Sequence, residues 1–384
     1  MIYEINRVLN PNKELILQIY FSNPLILILF TSLAVILSFF IHKLLLKYSA
    51  GFGMKNHESE GQIRWTNSVK PSVGGVGIFL LFLFGISVGL MSLQSELFAD
   101  PRFSGLVWAS LLGFVIGLMD DVYQISPTQK FTGQILCAVV LYYSGVFIEI
   151  SSLPIVNFII SVFWVIGIMN SINMLDNMDG ISGVTISGIL LSMISVMYFT
   201  GTITVSYAML ILGVIGGLIG FLSFNWNPAK IYLGDTGTQF LGVFLAGLAM
   251  LFLWNIQPNE GFAFFNASQL IIPVMVFVLP IIDTTTVFIR RIWRGQSPFI
   301  GGRDHTTHNL AIFGIQESKV PLIFASVNAC TLVMVSIISV CMADWNSLCA
   351  LCGIVYVLSL FLCIQVVYLF NQRRKVKNWT SSKN

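Results

Sequence analysis

Residues 203–224 read ITVSYAMLILGVIGGLIGFLSF, a run without a single charged side chain. A helix needs about 20 consecutive apolar residues to cross the hydrocarbon core of a bilayer, so this run is long enough for one crossing. The whole chain has the same character, because 56% of its 384 residues are hydrophobic and only 10% are charged. Soluble domains carry about 25% charged residues. The run therefore predicts a membrane helix in a membrane protein.

Ten further apolar runs extend this prediction to an all-α, polytopic membrane protein with about 11 transmembrane helices. Together with the first run, the eleven candidates are 23–46, 74–93, 105–120, 131–148, 154–173, 182–200, 203–224, 236–255, 267–289, 320–342 and 346–370. The run 105–120 is short and ends in two aspartates, so it spans only if those acids lie at the membrane interface. Since no soluble segment or internal repeat interrupts the pattern, we expect one membrane domain over residues 1–384.

The basic residues predict the orientation of the chain. If segment 43–72 is cytoplasmic and the spans alternate from there, all but three of the 20 lysines and arginines lie in cytoplasmic segments. The exceptions are Arg7, Lys13 and Arg102. Because cytoplasmic loops of membrane proteins are rich in Lys and Arg, we expect an external N-terminus and a cytoplasmic C-terminus. The net charge of +3 is too small to indicate nucleic-acid binding.

Two adjacent aspartates, Asp120 and Asp121, end the third apolar run. Adjacent carboxylates at a membrane edge repel each other, so a metal ion, a basic side chain or a shared proton should compensate their charge. The alternative is a polar helix end without a function. Acids at membrane depth are energetically unfavourable and usually functional, which favours a site.

A second cluster, Asn170-Ser-Ile-Asn173-Met-Leu-Asp176-Asn-Met-Asp179-Gly180, repeats amides and carboxylates three residues apart. If the helix continues through the cluster, these side chains form one polar stripe at its cytoplasmic end. Such a stripe suits a nucleobase, a ribose or a metal ion. The alternative is a capped helix end followed by a turn at Gly180, although capping alone does not require four such groups.

A third cluster, at residues 225–237, reads NWNPAKIYLGDTG. Asp235 has Gly234 before it and Gly237 after it, and glycine lets a backbone approach a ligand closely. Asp235 also precedes a long apolar run, so capping of that helix is the alternative role. The two roles are compatible. Upstream, Gly74, Gly75 and Gly77 lack the lysine of a phosphate-binding loop and instead predict a close contact between helices.

A fourth cluster begins at Asp283, continues with Arg290, Arg291 and Arg294, and ends in segment 301–308. His305 and His308 in this segment are two of only four histidines in the chain. Their spacing fits zinc, but no Cys or third His lies nearby in the sequence. The surrounding arginines favour phosphate recognition. The alternative is that the arginines only fix the topology or contact anionic lipid.

In this order the clusters resemble the polyprenyl-phosphate N-acetylhexosamine-1-phosphate transferases, which form glycosyltransferase family 4. The resemblance covers residues 70–308 and is carried by these motifs: residues 71–75, Asp120-Asp121, N-x-x-N-x-x-D-x-x-D-G at 170–180, N-P-A-K at 227–230, G-D-T-G at 234–237 and R-G-x-S-P-F at 294–299. The last motif, with D-T-x-x-x-x-x-R-R from Asp283, favours the N-acetylglucosamine branch over the muramoyl-pentapeptide branch. Two features depart from the family. Thr307 replaces the central histidine of H-x-H-H, and few basic residues precede Pro71, which leaves Lys70 and Arg64 as the candidates there.

The resemblance implies a reaction, a cofactor and a location. A UDP-N-acetylhexosamine, first of all UDP-N-acetylglucosamine, would donate its sugar 1-phosphate to undecaprenyl or another polyprenyl phosphate, with release of UMP. Magnesium would be required, with manganese as the alternative ion. The protein would lie in a bacterial inner membrane, with the site on cytoplasmic loops, and serve the first membrane step of a cell-envelope polysaccharide; a homodimer is compatible with this role. A phospho-muramoyl-pentapeptide or modified hexosamine donor is the alternative, and a transporter is a weaker one because the ionisable residues lie at loop edges.

The resemblance also implies site residues. The implied catalytic residues are Asp120, Asp121, Asp235 and His305, and the implied metal ligands are Asp235, Asp120 and Asp121. The implied substrate-binding residues are Lys70, Lys130, Asn173, Asp176, Asp179, Asn225, Tyr232, Arg303 and His308. We expect Asp235 to bind the metal on the donor diphosphate and Asp121, with Asp120, to orient or deprotonate the acceptor phosphate. Tyr232 would stack on uracil, and loop 290–308 would recognise the sugar.

Overall fold

The computed structural model describes residues 23–49, 70–93, 100–256, 267–297, 302, 304–341 and 347–381, which form helices and no strand. The α-helices are α1 (Pro24–Tyr48), α2 (Gly74–Leu93), α3 (Pro101–Tyr123), α4 (Pro127–Tyr143), α5 (Pro154–Leu175), α6 (Ile181–Phe199), α7 (Val205–Asn225), α8 (Gly234–Ala249), α9 (Ala267–Val276), α10 (Val278–Trp293), α11 (Thr306–Phe313), α12 (Val320–Val340) and α13 (Ser347–Ser381). A π-helical turn, Met250–Trp254, extends α8, and a 3-10 turn, Glu317–Lys319, precedes α12.

The predicted all-α membrane fold is confirmed. Eight helical units within the described residues are long and apolar enough to cross a membrane: α1, α3, α5, α6, α7, α8 with its π-helical turn, α12 and α13. Helices α9 and α10 also meet this requirement as a pair, but they are bent by 85° at the break between them. Helix α2 is apolar over a shorter stretch, and α4 has 17 residues. Each predicted run therefore coincides with a helix or with the bent pair.

Local capping explains where several of these helices begin. Proline occupies the first helical position of α1, α3, α4 and α5, where its fixed φ suits a helix and its missing N–H is not needed. The side chains of Asn23 and Asp100 cap α1 and α3. Ser126 and Gln129 form a reciprocal capping box at the start of α4. Helix α4 therefore begins only a few residues after α3 ends.

Helix α3 is longer than the run 105–120 predicted. It begins at Pro101 and ends at Tyr123, and the left-handed conformation of the next residue, Gln124 (φ 51°), closes the helix. Asp120 and Asp121 consequently lie in the last turn of α3 rather than beyond its end. The longer helix is sufficient for a membrane crossing, whereas the run 105–120 alone is short for one.

The second polar cluster is not one continuous helical stripe, because α5 ends at Leu175. Asp176 terminates the helix, with its N–H donating to the Asn173 carbonyl at 3.3 Å. A turn follows, and Gly180 (φ 78°) leads into α6. The alternative of a helix end and a turn at Gly180 is therefore correct for the backbone, with Asn173 on the helix and Asp176 and Asp179 in the turn.

Helix α8 is the central element of the fold. Every residue from Thr236 to Ala249 is buried, and α2, α3, α4 and α5 pack around it. A Cβ atom on Gly75 would lie 2.2 Å from the Gly237 nitrogen, and one on Gly117 would lie 2.2 Å from the Asp235 carbonyl oxygen. The predicted close helix contact at the glycine run is confirmed. The same packing brings the C-terminal end of α3 against the N-terminal end of α8.

Candidate active site

Asp121 on α3 caps the N-terminus of α8. Its Oδ1 accepts a hydrogen bond from the Asp235 backbone N–H at 3.1 Å, and its Oδ2 accepts from the Thr236 N–H at 2.8 Å and the Thr236 hydroxyl at 2.6 Å. A carboxylate at this position also compensates the partial positive charge of the helix N-terminus. The alternative role of Asp235 as the cap of α8 is wrong, because Asp235 lies in the first turn and Asp121 supplies the cap.

Lys130 on α4 joins two of the predicted acids. Its Nζ lies 2.7 Å from Asp120 Oδ2 and 2.6 Å from Asp235 Oδ1. The same Asp235 oxygen accepts a hydrogen bond from Asn173 Nδ2 at 2.6 Å, and that amide nitrogen also donates to the Thr238 hydroxyl at 2.8 Å. Four residues from α3, α4, α5 and α8 therefore meet at one charged centre. Asp235 is its most open acid, with its side chain 33% exposed.

The donor atoms of this charged centre suit a hard divalent cation. Within the described residues, no group of three or more His, Cys, Asp or Glu side chains is arranged to hold a metal ion. Magnesium does not need such a cage, because it is usually bound by one or two carboxylates together with water and substrate phosphates. Asp235 and Asp120 provide that number of carboxylates. The residues fit a magnesium ion that takes its remaining ligands from a diphosphate.

A layer of three amides lies one helical turn below the charged centre, and the sequence analysis named only Asn170 of them and missed Gln134 and Gln239. Gln134 Nε2 donates to Gln239 Oε1 at 2.9 Å and to Asn170 Oδ1 at 3.3 Å, and Asn170 Nδ2 donates back to Gln134 Oε1 at 2.9 Å. Gln134 follows Lys130 by four residues and Gln239 follows Asp235 by four, while Asn170 precedes Asn173 by three. This spacing, which places side chains on one helix face, was the available signal.

Asp179 and Asn225 hold the backbone around the loop that precedes α8. Asp179 Oδ2 accepts hydrogen bonds from the Ala229 N–H at 2.8 Å and from the Asn227 amide at 3.3 Å. Asn225, which is 2% exposed, accepts from the Gly180 N–H and donates to the Ile231 carbonyl, both at 2.9 Å. Both residues were predicted to bind substrate. Since the Asn225 amide is engaged at both ends by the backbone, its geometry suits positioning of this loop.

Lys70 and Tyr232 lie together next to Asp179. The Lys70 ammonium is 5.2 Å from the centroid of the Tyr232 ring and 3.9 Å from Asp179 Oδ2. The backbone of Tyr232 donates to the Pro71 carbonyl, and its own carbonyl accepts from Gly74 N–H, each at 2.9 Å. A cation, an aromatic ring and an acid thus share one half-buried corner. A planar base and a phosphate are the groups that such a corner can accommodate.

Asp176 is held by α6. Its Oδ1 accepts a hydrogen bond from the Ser182 hydroxyl at 2.6 Å. Enclosure by protein atoms raises the pKa of the Asp176 carboxyl to about 7, although the bond from Ser182 acts in the opposite direction. A carboxyl group with this pKa can exchange a proton near neutral pH.

His305 and Asp283 form a buried pair at the start of α11. The imidazole Nδ1 lies 2.8 Å from Asp283 Oδ2, while the Thr306 N–H donates to Asp283 Oδ1 at 2.6 Å. The carboxylate therefore assigns a proton to Nδ1 and orients the ring, leaving Nε2 for other contacts. The buried His308 ring is 5.6 Å from the His305 ring, centroid to centroid. The structure brings the two predicted histidines together.

Two further contacts connect this histidine pair to its surroundings. Arg291 makes a bidentate ion pair with Asp304, at 2.9 and 2.6 Å. Burial favours a higher pKa for Asp304, but the hydrogen bonds and charge of Arg291 outweigh it and hold that pKa below its usual value. Thr307 donates to Asn177 Oδ1 at 2.5 Å, which ties α11 to the turn after α5. The predicted site residue Arg303 lies outside the described residues.

Comparisons with known proteins agree with these motifs. The model of glycosyl transferase family 4 matches residues 103–253. A probable undecaprenyl-phosphate N-acetylglucosaminyl 1-phosphate transferase of Bacillus subtilis is 31% identical over 261 residues, which covers 65% of this chain and 68% of that protein. A decaprenyl-phosphate N-acetylglucosaminephosphotransferase of Mycobacterium tuberculosis is 28% identical over 282 residues, or 66% and 68% of the two chains. A phospho-N-acetylmuramoyl-pentapeptide-transferase of Staphylococcus saprophyticus is 27% identical over 306 residues, or 73% and 88%.

The matched residues 103–253 contain the whole charged centre, from Asp120 and Lys130 through Asn173 to Asp235. The alignment with the Bacillus subtilis relative is 31% identical and covers 68% of that protein. The sequence motifs, the helical membrane fold and the comparisons all lead to the same assignment: the chain belongs to glycosyl transferase family 4.

Proposed function

We propose that this protein transfers N-acetylglucosamine 1-phosphate from UDP-N-acetylglucosamine to a polyprenyl phosphate such as undecaprenyl phosphate. An oxygen of the lipid phosphate would bond to the β-phosphorus of the donor. The bond from that phosphorus to the oxygen bridging the two phosphates would break, and UMP would leave with the bridging oxygen. The charged centre carries this proposal, because its two carboxylates can hold a metal ion and its lysine can bind a phosphate at the ends of membrane helices, where a lipid and a soluble donor can meet.

The charged centre would bind the donor diphosphate. Asp235 and Asp120 are the proposed ligands of a magnesium ion, with Asn173 orienting Asp235 through its 2.6 Å hydrogen bond. Magnesium, when bound, would neutralise charge on the diphosphate and on the departing UMP. Lys130 adds a fixed positive charge between the same two acids. Asp121 would keep Asp235 in place through the N-terminus of α8, which favours a positioning role for Asp121 over that of a base.

The remaining predicted residues would bind the rest of the donor. Tyr232 is proposed to stack on uracil, with Lys70 and Asp179 beside it. Asp176 would contact the nucleotide near the charged centre. The segment with His305, His308 and Arg303 would recognise the sugar, where donors and acceptors suit hydroxyl and acetamido groups. We place this site on the cytoplasmic side of a bacterial cytoplasmic membrane, with an external N-terminus.

Release of UMP by the purified protein tests this function. UDP-N-acetylglucosamine, undecaprenyl phosphate and magnesium should together give UMP and a lipid diphosphate sugar, and omission of the lipid or the metal should abolish both products. Asp235→Asn should remove most of the activity and leave the protein folded. A panel of UDP-sugars that includes the muramoyl-pentapeptide donor identifies the sugar. Release of UMP at the same rate without lipid phosphate, or full activity of Asp235→Asn, would contradict the proposal.

A further inference from the structure

The C-terminal helix α13 extends well beyond its predicted span. It has 35 residues, which correspond to about 52 Å of helix at about 1.5 Å per residue. The hydrocarbon core is only about 30 Å thick. Its spanning part packs Val357, Phe361 and Ile364 against a cluster of buried side chains that includes Leu175 and Ile282. These two residues directly precede Asp176 and Asp283. Helix α13 therefore packs against the apolar side chains next to both acids.

The part of α13 after Ile364 contacts the arginines that follow Asp283. Gln365 Oε1 accepts a hydrogen bond from Arg290 Nη2 at 2.9 Å. The Arg290 guanidinium stacks on the Tyr368 ring, 3.7 Å from its centroid, and the Tyr368 hydroxyl accepts a hydrogen bond from Arg294. Arg290 also donates to the Asp304 carbonyl at 3.4 Å. One tyrosine on α13 therefore orders two arginines at the end of α10.

The same face of α13 is bonded to α11, which His305 directly precedes. Asn371 is 2% exposed, although the adjacent Phe370 is exposed, and its Nδ2 donates to the Asn309 carbonyl at 2.8 Å. The Asn309 side chain in turn donates to the His305 carbonyl at 2.8 Å. A chain of two asparagines thus connects α13 to the histidine that pairs with Asp283. A buried amide with this bond is unfavourable to displace, because the Asn309 carbonyl would lose its partner.

We propose that Gln365, Tyr368 and Asn371 are positioning residues, which hold the His305 segment (residues 304–313) in the arrangement in which it can bind the donor sugar. They touch both ends of the connection between α10 and α11, and they lie outside the part of the chain that the family model matches. The proposal rests on the proposed function for the identity of the donor. The bonding of α13 to the segment is independent of that identity.

Two measurements on the full-length protein test the proposal. Hydrogen exchange of the amides in residues 304–313 should accelerate about tenfold in Tyr368→Ala and in Asn371→Ala. The KM for UDP-N-acetylglucosamine should rise at least about fivefold in the same variants, while the KM for polyprenyl phosphate stays within about twofold. Tyr368→Phe keeps the ring under Arg290 and should recover most of both properties. Leu369→Ala, on the exposed face of the same turn, is the matched control and should behave as wild type.

A purely structural role of α13 predicts a different result. The variants would then lower the melting temperature and the yield of folded protein, while exchange in residues 304–313 and both KM values of the folded fraction stay unchanged; this outcome overturns the proposal. Faster exchange without a rise in the donor KM also overturns it. If wild-type protein turns over no UDP-sugar, the proposed function fails, and the exchange measurement alone decides whether α13 holds the segment. Gln365→Ala replaces any variant that does not fold.

Discussion

Lys130 places one ammonium group between two carboxylates that a divalent cation would also use. Its Nζ is within 2.7 Å of both Asp120 and Asp235. A fixed positive charge at that position must weaken the binding of a second cation to the same oxygens. The lysine would therefore prevent the acids from retaining a metal ion tightly between turnovers, while it still attracts the donor diphosphate.

This competition predicts opposite effects of Lys130→Met on metal binding and on turnover. Affinity for manganese, measured by electron paramagnetic resonance, should rise about tenfold, because one repulsive charge is removed. Turnover should fall about 100-fold, because the diphosphate loses a charged partner. Lys43→Met on the exposed face of α1 is the control for the loss of a lysine. Weaker manganese binding in Lys130→Met would show that the lysine does not compete with the metal.

A second prediction concerns the capping of α8, which the variant Asp121→Asn tests. The asparagine NH₂ would face a backbone N–H of α8, so at least one hydrogen bond to a charged acceptor is lost. We expect a loss of about 2 kcal/mol in the free energy of unfolding, measured by denaturation in detergent, together with lower turnover. Asp100→Asn is the control, because asparagine is as good an N-cap as aspartate at the start of α3. A variant with unchanged stability and no activity would instead assign Asp121 to the substrate.

At the scale of single residues, the sequence predicted which residue types form the candidate site better than it predicted which residues they contact. The acids and amides near helix ends were recognisable because polar groups at membrane depth are energetically unfavourable and are usually functional. Lys130 was included only through resemblance, since its two partners come from helices whose packing no local pattern describes. The capping of α8 by Asp121 joins residues 114 positions apart and was missed for the same reason.

Among the elements, the amide layer holds three helices in register beneath the charged centre. The Ile166 carbonyl can only accept, so the Asn170 amide nitrogen that bonds it at 2.8 Å has a fixed orientation. This orientation fixes Gln134, and Gln134 fixes the oxygen of Gln239. The Gln239 amide nitrogen is then buried without a hydrogen-bond partner among the described residues.

The layer predicts unequal effects of removing its members. Gln134→Leu leaves the facing groups of Asn170 and Gln239 unsatisfied and should lower the free energy of unfolding by about 3 kcal/mol. Gln239→Leu removes one bond and also an unsatisfied donor, so its effect should stay below about 1 kcal/mol. Thermal denaturation of both variants in the same detergent gives the comparison. Equal losses would mean that the Gln239 nitrogen has a partner after all.

Close contact between α2 and α8 gives a prediction with a built-in control. Alanine at Gly75 would place its Cβ 2.2 Å from the Gly237 backbone, which only movement of a helix can relieve. We expect Gly75→Ala to destabilise the protein by about 3 kcal/mol and to reduce activity, because α8 carries Asp235. Gly167→Ala on α5, where no atom lies within 4 Å of the added Cβ, should be neutral or stabilise by up to about 1 kcal/mol. Similar stability of the two variants would refute the proposed contact.

Hydropathy predicted the ends of the helices less well than any other part of the fold. The eleven apolar runs coincide with helices because burial in lipid and burial in protein both select apolar side chains. The ends of α3 and α5 differ from the runs because local hydrogen bonds decide them, namely the Asp100 cap at the start of α3 and the Asp176 bond at the end of α5. Such bonds depend on single residues, which an average over a window cannot show.

For the whole molecule, the contacts of α13 place the end of this helix on the same side as the charged centre. Asn371 bonds to Asn309 of α11, and Thr307 of α11 bonds to Asn177, four residues after Asn173. Arg373 lies just beyond Asn371, whereas Glu149 follows α4 at the end opposite Lys130. Both residues are exposed. A membrane-impermeant maleimide applied to intact cells should therefore label Glu149→Cys and leave Arg373→Cys unlabelled until the cells are opened. The wild-type chain, with six cysteines of its own, gives the background. The reverse labelling pattern would invert the proposed orientation.

The enclosure of α8 has a consequence for how the protein is made. The helices that surround it, α2, α3, α4 and α5, all leave the ribosome before α8 does, so α8 can pass from the translocon into a groove of protein rather than into lipid. That route would explain how a helix with Thr236, Thr238 and Gln239 on its buried surface is accepted into the membrane. It also sets an order of maturation. When α8 has just been inserted, the nascent chain already contains every residue of the charged centre, while His305 and α13 are still to be synthesised.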